Sequence, residues 1–261
     1  MKKHFGKVYS KILKQIEEEG GLTFMQLDPP NYTPELAGKI AKVAEENGLD
    51  AFAVGGSVGA QGELLDKTIL SIKENSSLPV ILFPGNIATL SRHADAAYFM
   101  SLLNSQDPYY ISGAQIAASF PVKKMNLEAI PTSYIILEPG MAAGWVGRAK
   151  LVPRHMPYLA AITALAGQYM GSHLIILESG GGAPSPAPKE MVFATKQVLE
   201  VPLLVAGGVR TPEFAFETIK AGADIVQVGT AFEKSKGDLK KIGQTFKAIT
   251  SAAKKAGKEK L

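Results

Sequence analysis

Two apolar runs near the C-terminus, each ending in glycine, constrain most strongly what this chain can fold into. Residues 201–206 are followed by Gly207-Gly208, and residues 225–228 are followed by Gly229-Thr230, with a helical stretch between the two runs. Glycine at a strand end lets the backbone approach a ligand closely and leaves N–H groups free to bind an anion. In (β/α)₈ barrels a phosphate site commonly lies in the loops after strands 7 and 8. If these runs are strands 7 and 8, six strands must precede them.

Six further apolar runs do precede them, and stretches with helical periodicity alternate with these runs. The predicted strands cover residues 21–28, 51–57, 78–85, 96–103, 132–139 and 173–179. The predicted helices cover residues 4–20, 33–47, 63–75, 107–120, 158–170, 188–199 and 238–255, with one more between strands 7 and 8. Near-continuous apolar runs are expected of parallel strands that are buried on both faces. The pattern predicts an α/β chain folded as one (β/α)₈ TIM barrel domain, residues 1–261, with an extra N-terminal helix.

Two connections depart from the regular alternation. Only residues 86–95 separate strands 3 and 4, which is short for a crossover helix and two turns, so we expect an irregular segment in place of the third helix. Residues 140–157 are long and glycine-rich enough to form a functional loop. An open, doubly wound sheet is the alternative fold, but no GxGxxG follows the first strand.

The composition limits the classes of function. Hydrophobic residues make up 46% of the chain and charged residues 20%, which is typical of a globular protein, and the lack of cysteine excludes a thiolate site. No apolar run is long enough to span a membrane, and we expect a cytoplasmic location. The net charge of +4 is concentrated in the lysine-rich C-terminal helix, which favours a solvated face and leaves contact with anionic lipid as the alternative. We expect no binding to nucleic acid, because no basic stripe alternates with aromatic residues.

Asp28 and Ser57 stand at the ends of the first two predicted strands. Carboxylate and hydroxyl oxygens are hard ligands, and Mg²⁺ usually binds through one or two such groups together with substrate phosphates. The pair therefore indicates a Mg²⁺ site for a diphosphate substrate. An aspartate before two prolines also serves simply to end a strand, and both interpretations of Asp28 stay open.

Glu178 lies between the apolar sixth strand and a run of glycines. Partial desolvation there would raise its pKa and suit it to act as a general base. A salt bridge from Glu178 to Arg148 or Arg210 is the alternative, and Glu138 at the end of strand 5 competes for the same role. The histidines lie away from the strand ends, so a histidine-based nucleophile triad has no support.

Eight phrases in this order resemble the archaeal geranylgeranylglyceryl phosphate synthase family and its bacterial heptaprenylglyceryl phosphate synthase relatives. The resemblance extends through nearly the whole chain, and the WVGRAK and ESGGGAP phrases are similar to the larger of the family's two subgroups. The phrases are LDPPN at 27–31, AVGGS at 53–57, LFPGN at 82–86, YIILEPG at 134–140, WVGRAK at 145–150, ILESGGGAP at 176–184, VAGGVRTP at 205–212 and VQVGT at 226–230.

The resemblance implies a prenyltransferase of archaeal membrane lipid biosynthesis. The 3-hydroxyl of sn-glycerol 1-phosphate would attack C1 of geranylgeranyl diphosphate, releasing diphosphate and forming an ether. By this resemblance Asp28 and Ser57 carry Mg²⁺, Glu178 acts on the attacking hydroxyl, and the chain forms a dimer or larger homo-oligomer. The resemblance also implies an irregular segment in place of the third helix, in agreement with the short connection at residues 86–95. The implied substrate-binding residues are Ile176, Leu177, Glu178, Ser179, Gly180, Gly181, Gly182, Gly207, Gly208, Gly229 and Thr230, with Tyr134 on a middle strand.

One position departs from the pattern of the family. The family usually has tyrosine two residues before the base glutamate, where its hydroxyl helps to bind glycerol phosphate, but this chain has Ile176. Either another donor such as Ser179 compensates or the specificity for the acceptor differs. Two other functions stay open: a phosphate-binding barrel isomerase or lyase, and a non-catalytic binder of prenyl phosphates.

Overall fold

Eight parallel strands form a closed barrel in the computed structural model, which describes residues 5–233 and 237–261. Neighbouring strands pair in chain order, and β1 pairs with β8 to close the sheet. The predicted (β/α)₈ TIM barrel is therefore confirmed. The strands are β1 Leu22–Leu27, β2 Ala51–Gly56, β3 Val80–Pro84, β4 Ala96–Leu102, β5 Glu128–Ile136, β6 Leu174–Glu178, β7 Leu203–Ala206 and β8 Ile225–Val228.

A ring of helices surrounds the barrel. The two short helices α5 and α9, in the loops after β5 and β8, are absent from the sequence-based prediction, and its first helical residue, His4, lies outside the described residues. A 3₁₀ turn also follows β1, and a π-helical turn precedes α4. The helices are α1 Lys7–Glu19, α2 Pro34–Glu46, α3 Gly62–Asn75, α4 Ala114–Lys124, α5 Met141–Val146, α6 Pro157–Tyr169, α7 Lys189–Lys196, α8 Pro212–Lys220, α9 Thr230–Glu233 and α10 Leu239–Lys258.

Several element boundaries differ from the prediction, and two of these differences lie beside a proline. β5 begins at Glu128 rather than Thr132, because Pro131 loses only a donor while its carbonyl still accepts from the His173 N–H at 2.7 Å. The helix predicted to end at residue 120 continues through Pro121 to Lys124. It continues because Ala118 and Val122, on either side of that proline, are both buried in the core.

The segment between β3 and β4 is irregular, as predicted. Residues 86–95 contain turns and bends but no helix. The Asn86 side chain accepts from the Ala88 N–H at 2.8 Å, and the Ser91 hydroxyl donates to Asp66 of α3 at 2.5 Å. The segment thus stays close to the barrel without covering its wall as a helix would.

The N-terminal helix α1 closes the end of the barrel at which the strands begin. Val8, Tyr9 and Ile12 join the hydrophobic cluster that fills the barrel interior. The carboxylate of Glu128, at the start of β5, accepts from the N–H groups of Val8 and Tyr9 at 2.8 and 2.9 Å. This carboxylate replaces a capping side chain at the first turn of α1, where the N-cap residue Gly6 has none.

An aspartate repeats at this same end of the barrel. Asp50, Asp95 and Asp224 each directly precede an even-numbered strand, and each accepts at 2.8 Å from a backbone N–H of the preceding odd-numbered strand. Each also pairs with a lysine on a surrounding helix or at the C-terminus. Asp224 has two such partners, Lys196 at 2.6 Å and Lys260 at 3.2 Å. These carboxylates tie strand to strand and strand to helix.

The lysine-rich C-terminal helix takes part in these pairs. Lys254 lies 3.5 Å from Asp50, and Lys260 follows the end of α10. Two lysines of this C-terminal stretch are thus engaged in salt bridges with buried aspartates, at the end opposite the carboxyl ends of the strands. Contact of this helix with lipid stays a prediction. Within the described ranges, no helix is long and apolar enough to cross a membrane.

We expect Asp224→Ala to lower the free energy of unfolding by about 3 kcal/mol, because it leaves two lysines and the Leu203 N–H without their buried carboxylate. Urea denaturation followed by circular dichroism would measure the change. Glu259→Ala is the matched control, since its pair with Lys220 is solvent-exposed and should contribute less than about 1 kcal/mol. Equal losses in the two variants would contradict this role of Asp224.

Candidate active site

A cavity of about 200 Å³ opens at the carboxyl ends of the strands. Most of the chemistry-bearing residues predicted from the sequence line it. These are Asp28, Ser57, Tyr134, Glu178, Gly181, Gly207, Gly208, Gly229 and Thr230. Strand ends that are distant in sequence thus converge on one chamber, as expected for this type of barrel.

Other residues of the predicted substrate-binding segment do not line the chamber. Ile176 lies in the barrel interior below Glu178, and Leu177 points outward into the core between barrel and helices. The Ser179 hydroxyl is fully buried without a partner among the described residues. Gly180 contributes its N–H to Glu178, and Gly182 is exposed.

Glu178 is the buried acid of this chamber, with 5% of its surface exposed. Its Oε1 accepts from the Gly180 N–H at 2.6 Å, and its carboxylate also interacts with the Tyr134 hydroxyl. Burial raises the pKa of Glu178 to about 7, although the bonds from Gly180 and Tyr134 oppose this change. A carboxyl with a pKa near neutrality can accept a proton from a substrate hydroxyl.

The alternative partners and competitors of Glu178 are engaged elsewhere. Arg148 lies 3.7 Å from Asp107, and the Arg210 guanidinium donates to the Pro184 carbonyl at 2.6 Å. Glu138 is exposed outside the chamber, where its carboxylate accepts from the Arg154 N–H at 3.2 Å. Among the acids at these two strand ends, Glu178 alone faces the chamber.

Tyr134 is the tyrosine nearest to Glu178 in the sheet. It is the register partner of Ile176 on the neighbouring strand, so both side chains face the barrel interior. Its ring packs edge-on against Phe83 with centroids 5.7 Å apart. A tyrosine hydroxyl therefore reaches Glu178 from β5, although position 176 of β6 is isoleucine.

Two glycines make room for the two carboxylates of the chamber. A Cβ on Gly207 would lie 2.3 Å from Oε1 of Glu178, and a Cβ on Gly56 would lie 1.9 Å from Oδ1 of Asp28. Real Cβ atoms do not approach oxygen so closely, so a side chain at either position would displace the acid, and at position 207 it would also meet the Gly180 backbone. The sequence suggested phosphate binding for Gly207, and the structure adds this second reason for a glycine there.

The other half of the chamber is apolar and lies between β4 and α4. Its wall includes Leu90 of the irregular segment, Met100 of β4, and Ala118 and Val122 of α4. Because no helix covers residues 86–95, the chamber extends in this direction. Sequence reasoning missed these residues, since an apolar face at helical spacing is indistinguishable from ordinary core. It also missed Gln26, Tyr98 and Gln227 on the chamber floor.

The carboxylates of the chamber do not form a ready-made metal cage. Among the described residues, no group of three or more His, Cys, Asp or Glu side chains could hold a metal ion. Asp28 and Ser57 do line the same chamber. One carboxylate and one hydroxyl fit a hard cation that takes its remaining ligands from water and substrate phosphates.

We expect Gly207→Ala to displace the Glu178 carboxylate and the Gly180 backbone that holds it, and to lower activity by at least about 100-fold, because small misplacements of a reacting group are costly. Steady-state kinetics of the purified variant would measure the loss. Gly62→Ala is the control, since Gly62 has a similar left-handed φ of +59° but a Cβ there meets nothing within 4 Å. Full activity of Gly207→Ala would show that the carboxylate has room to shift without consequence.

Comparisons with known proteins agree on one family. The model of the PcrB family matches residues 14–250. Geranylgeranylglyceryl phosphate synthase of Pyrococcus horikoshii is 55% identical over 244 residues, which cover 94% of this chain and 95% of that protein. The synthase of Thermococcus kodakarensis is 51% identical over 249 residues, 95% of this chain and 98% of that protein.

A solved structure extends the likeness to three dimensions. The (S)-3-O-geranylgeranylglyceryl phosphate synthase of Thermoplasma acidophilum, in complex with its substrate sn-glycerol-1-phosphate, is 36% identical with a TM-score of 0.91. The match covers 96% of this chain and 100% of that one.

Proposed function

Because the chain belongs to the PcrB family and is a prenyltransferase, we propose that it joins the 3-hydroxyl of sn-glycerol 1-phosphate to C1 of geranylgeranyl diphosphate, releasing diphosphate. The observation that carries this proposal is a single chamber with a polar end around Glu178 and an apolar end between β4 and α4. A small phosphorylated acceptor fits the first end and an isoprenoid chain the second. An isomerase or lyase of small phosphates would have no use for the apolar end.

The acceptor occupies the side of the chamber formed by β6, β7 and β8. Gly207 and Gly208 have φ angles of +76° and +78°, a conformation that directs backbone N–H groups to unusual positions and favours glycine. Together with Gly229 and Thr230 they bind the phosphate. Glu178 then receives the proton of the 3-hydroxyl as its oxygen attacks C1 of the donor.

The donor diphosphate occupies the opposite side, at the ends of β1 and β2. Asp28 and Ser57 would hold Mg²⁺ there, and the ion would supply positive charge that stabilises the departing diphosphate. The isoprenoid chain extends past Met100 and Tyr110 towards Ala118 and Val122. The depth of this apolar end sets the length of chain that is accepted.

Tyr134 takes the place of the missing tyrosine on β6. Its hydroxyl interacts with Glu178, whereas the Ser179 hydroxyl is buried outside the chamber lining. We therefore assign the compensating donor to Tyr134 rather than Ser179. Since Ile176 and Tyr134 are register partners, the hydroxyl approaches from the neighbouring strand without a change in the barrel.

Product formation tests the proposed reaction directly. The protein, incubated with labelled geranylgeranyl diphosphate, sn-glycerol 1-phosphate and Mg²⁺, should form a product with the mass of geranylgeranylglyceryl phosphate. Its ether bond should survive when phosphatase removes the phosphate. Glu178→Gln removes the base but keeps the size of the side chain, and should lower turnover by about 100-fold or more with an unchanged circular dichroism spectrum. Full turnover of this variant would remove Glu178 from the mechanism.

The pH dependence should report the state of Glu178. The base must be ionised, so kcat/KM should rise with pH through a pKa of about 7. Tyr134→Phe removes a hydrogen bond that lowers this pKa, so the profile of that variant should shift to higher pH. Tyr158→Phe on the exposed face of α6 serves as the control. An unshifted profile in Tyr134→Phe would contradict the assignment of Tyr134.

Exposed apolar side chains support the proposed homo-oligomer. Ile116 and Phe120 on α4, and Tyr169 and Met170 at the end of α6, are each more than 70% exposed. Large apolar patches on a protein surface mark contacts with other molecules. We propose a dimer or larger assembly through this side of the barrel, and light scattering of the purified protein tests whether it forms. We also propose a cytoplasmic location.

A further inference from the structure

A chain of three hydrogen bonds crosses the floor of the chamber. The Tyr98 hydroxyl on β4 donates to Oε1 of Gln227 on β8 at 3.3 Å, and Nε2 of Gln227 donates to Oε1 of Gln26 on β1 at 2.9 Å. Nε2 of Gln26 then donates to the Gly55 carbonyl of β2 at 3.1 Å. Tyr98 and Gln227 are at most 3% exposed, and all three side chains line the chamber.

The direction of this chain is determined at its end on β2. A backbone carbonyl only accepts, so the atom of Gln26 beside Gly55 must be its nitrogen. The Gln26 oxygen therefore faces Gln227, which must present its own nitrogen there and its oxygen to Tyr98. The amide nitrogen of Gln227 carries two hydrogens, and one of them is donated to the Gln26 oxygen. The second has no partner among the described residues.

The position of Gln227 relative to Glu178 gives this hydrogen a role. Glu178 is the register partner of Ala206 on β7, and Ala206 is the register partner of Gln227 on β8. The two polar side chains thus stand in one layer, about 10 Å apart by strand spacing, with only a methyl group between them. The space above Ala206 belongs to the chamber, so polar groups of a molecule bound there would face Glu178 on one side and Gln227 on the other.

We propose that Gln227 determines acceptor specificity by donating a hydrogen bond to the 2-hydroxyl of glycerol phosphate, while Tyr98 and Gln26 are positioning residues that hold its amide. This inference rests on the proposed function. With the phosphate at the ends of β7 and β8 and the 3-hydroxyl at Glu178, the 2-hydroxyl is the remaining polar group of the acceptor. The floor of the chamber offers it the amide of Gln227.

The test compares two acceptors in two proteins. 3-Hydroxypropyl phosphate lacks only the 2-hydroxyl of sn-glycerol 1-phosphate. In the unaltered protein kcat/KM should be on the order of 100-fold lower with this analogue, because the amide then stays unpaired. In Gln227→Met the side chain keeps a similar volume but has no hydrogen-bond donor. The ratio of kcat/KM between the two acceptors should therefore fall below about 10-fold, because only the value for sn-glycerol 1-phosphate decreases.

Two further variants separate specificity from folding. Tyr98→Phe keeps Gln227 but removes the hydrogen bond that holds its amide oxygen. Its discrimination between the two acceptors should lie between that of the unaltered protein and that of Gln227→Met. Gln227→Asn shortens the donor and should behave like Gln227→Met, even if the methionine variant fails to fold. Calorimetric titration of each acceptor without donor checks that discrimination arises in binding.

The possible results distinguish the role of Gln227 from the identity of the acceptor. Undiminished discrimination in folded Gln227→Met or Gln227→Asn would overturn the role of Gln227 while leaving the reaction in place. Failure of the unaltered protein to use sn-glycerol 1-phosphate, when another acceptor gives product, would overturn the proposed acceptor and this inference with it.

Discussion

The close approach of a buried carboxylate to a neighbouring strand is the constraint on which the chamber depends. Glu178 occupies the space where a side chain at position 207 would lie, and Asp28 occupies the corresponding space at Gly56. Glu178 is also buried, so it is largely removed from water, whereas Asp28 is only partly buried. Burial raises the pKa of Glu178 to about 7, and the Gly180 and Tyr134 bonds limit that rise. Gly207 thus leaves the space that the proposed base occupies, and burial of that base sets its protonation.

A shortened connection has the largest effect on the shape of the chamber. A regular barrel would place a helix between β3 and β4, and that helix would cover the wall that Leu90 now lines. The irregular segment leaves apolar volume between β4 and α4, directly beside the polar strand ends. The lack of a helix is therefore part of the site. The polar acceptor and the apolar isoprenoid donor must react at one point, so a polar and an apolar pocket have to lie side by side.

The sequence predicted the barrel, all eight strands and the missing helix, because these follow from apolar runs, glycine positions and connection lengths. It also identified the acids, since strand ends meet at one edge of the barrel. It could not identify Tyr134 as the partner of Glu178, or Gln26, Tyr98 and Gln227 as the chamber floor. Those contacts depend on the register between strands, which no local pattern encodes. The boundary errors at Pro131 and Pro121 have a related cause, since tertiary packing outweighed the local preference of proline.

The two ends of the barrel use buried charge in opposite ways. At the end where the strands begin, the buried Asp50 and Asp224 and the partly buried Asp95 each bind a strand N–H and a lysine, which offsets their charge. Burial still raises the pKa of Asp50 to about 6, although Lys254 opposes this change. At the carboxyl ends, Glu178 has hydrogen-bond donors but no cation within the described salt bridges. Neutralised pairs stabilise strand order, whereas an acid without a counter-ion remains able to exchange a proton. Because the strands separate the two sets of acids, substitutions that alter the chamber can leave the stabilising pairs intact.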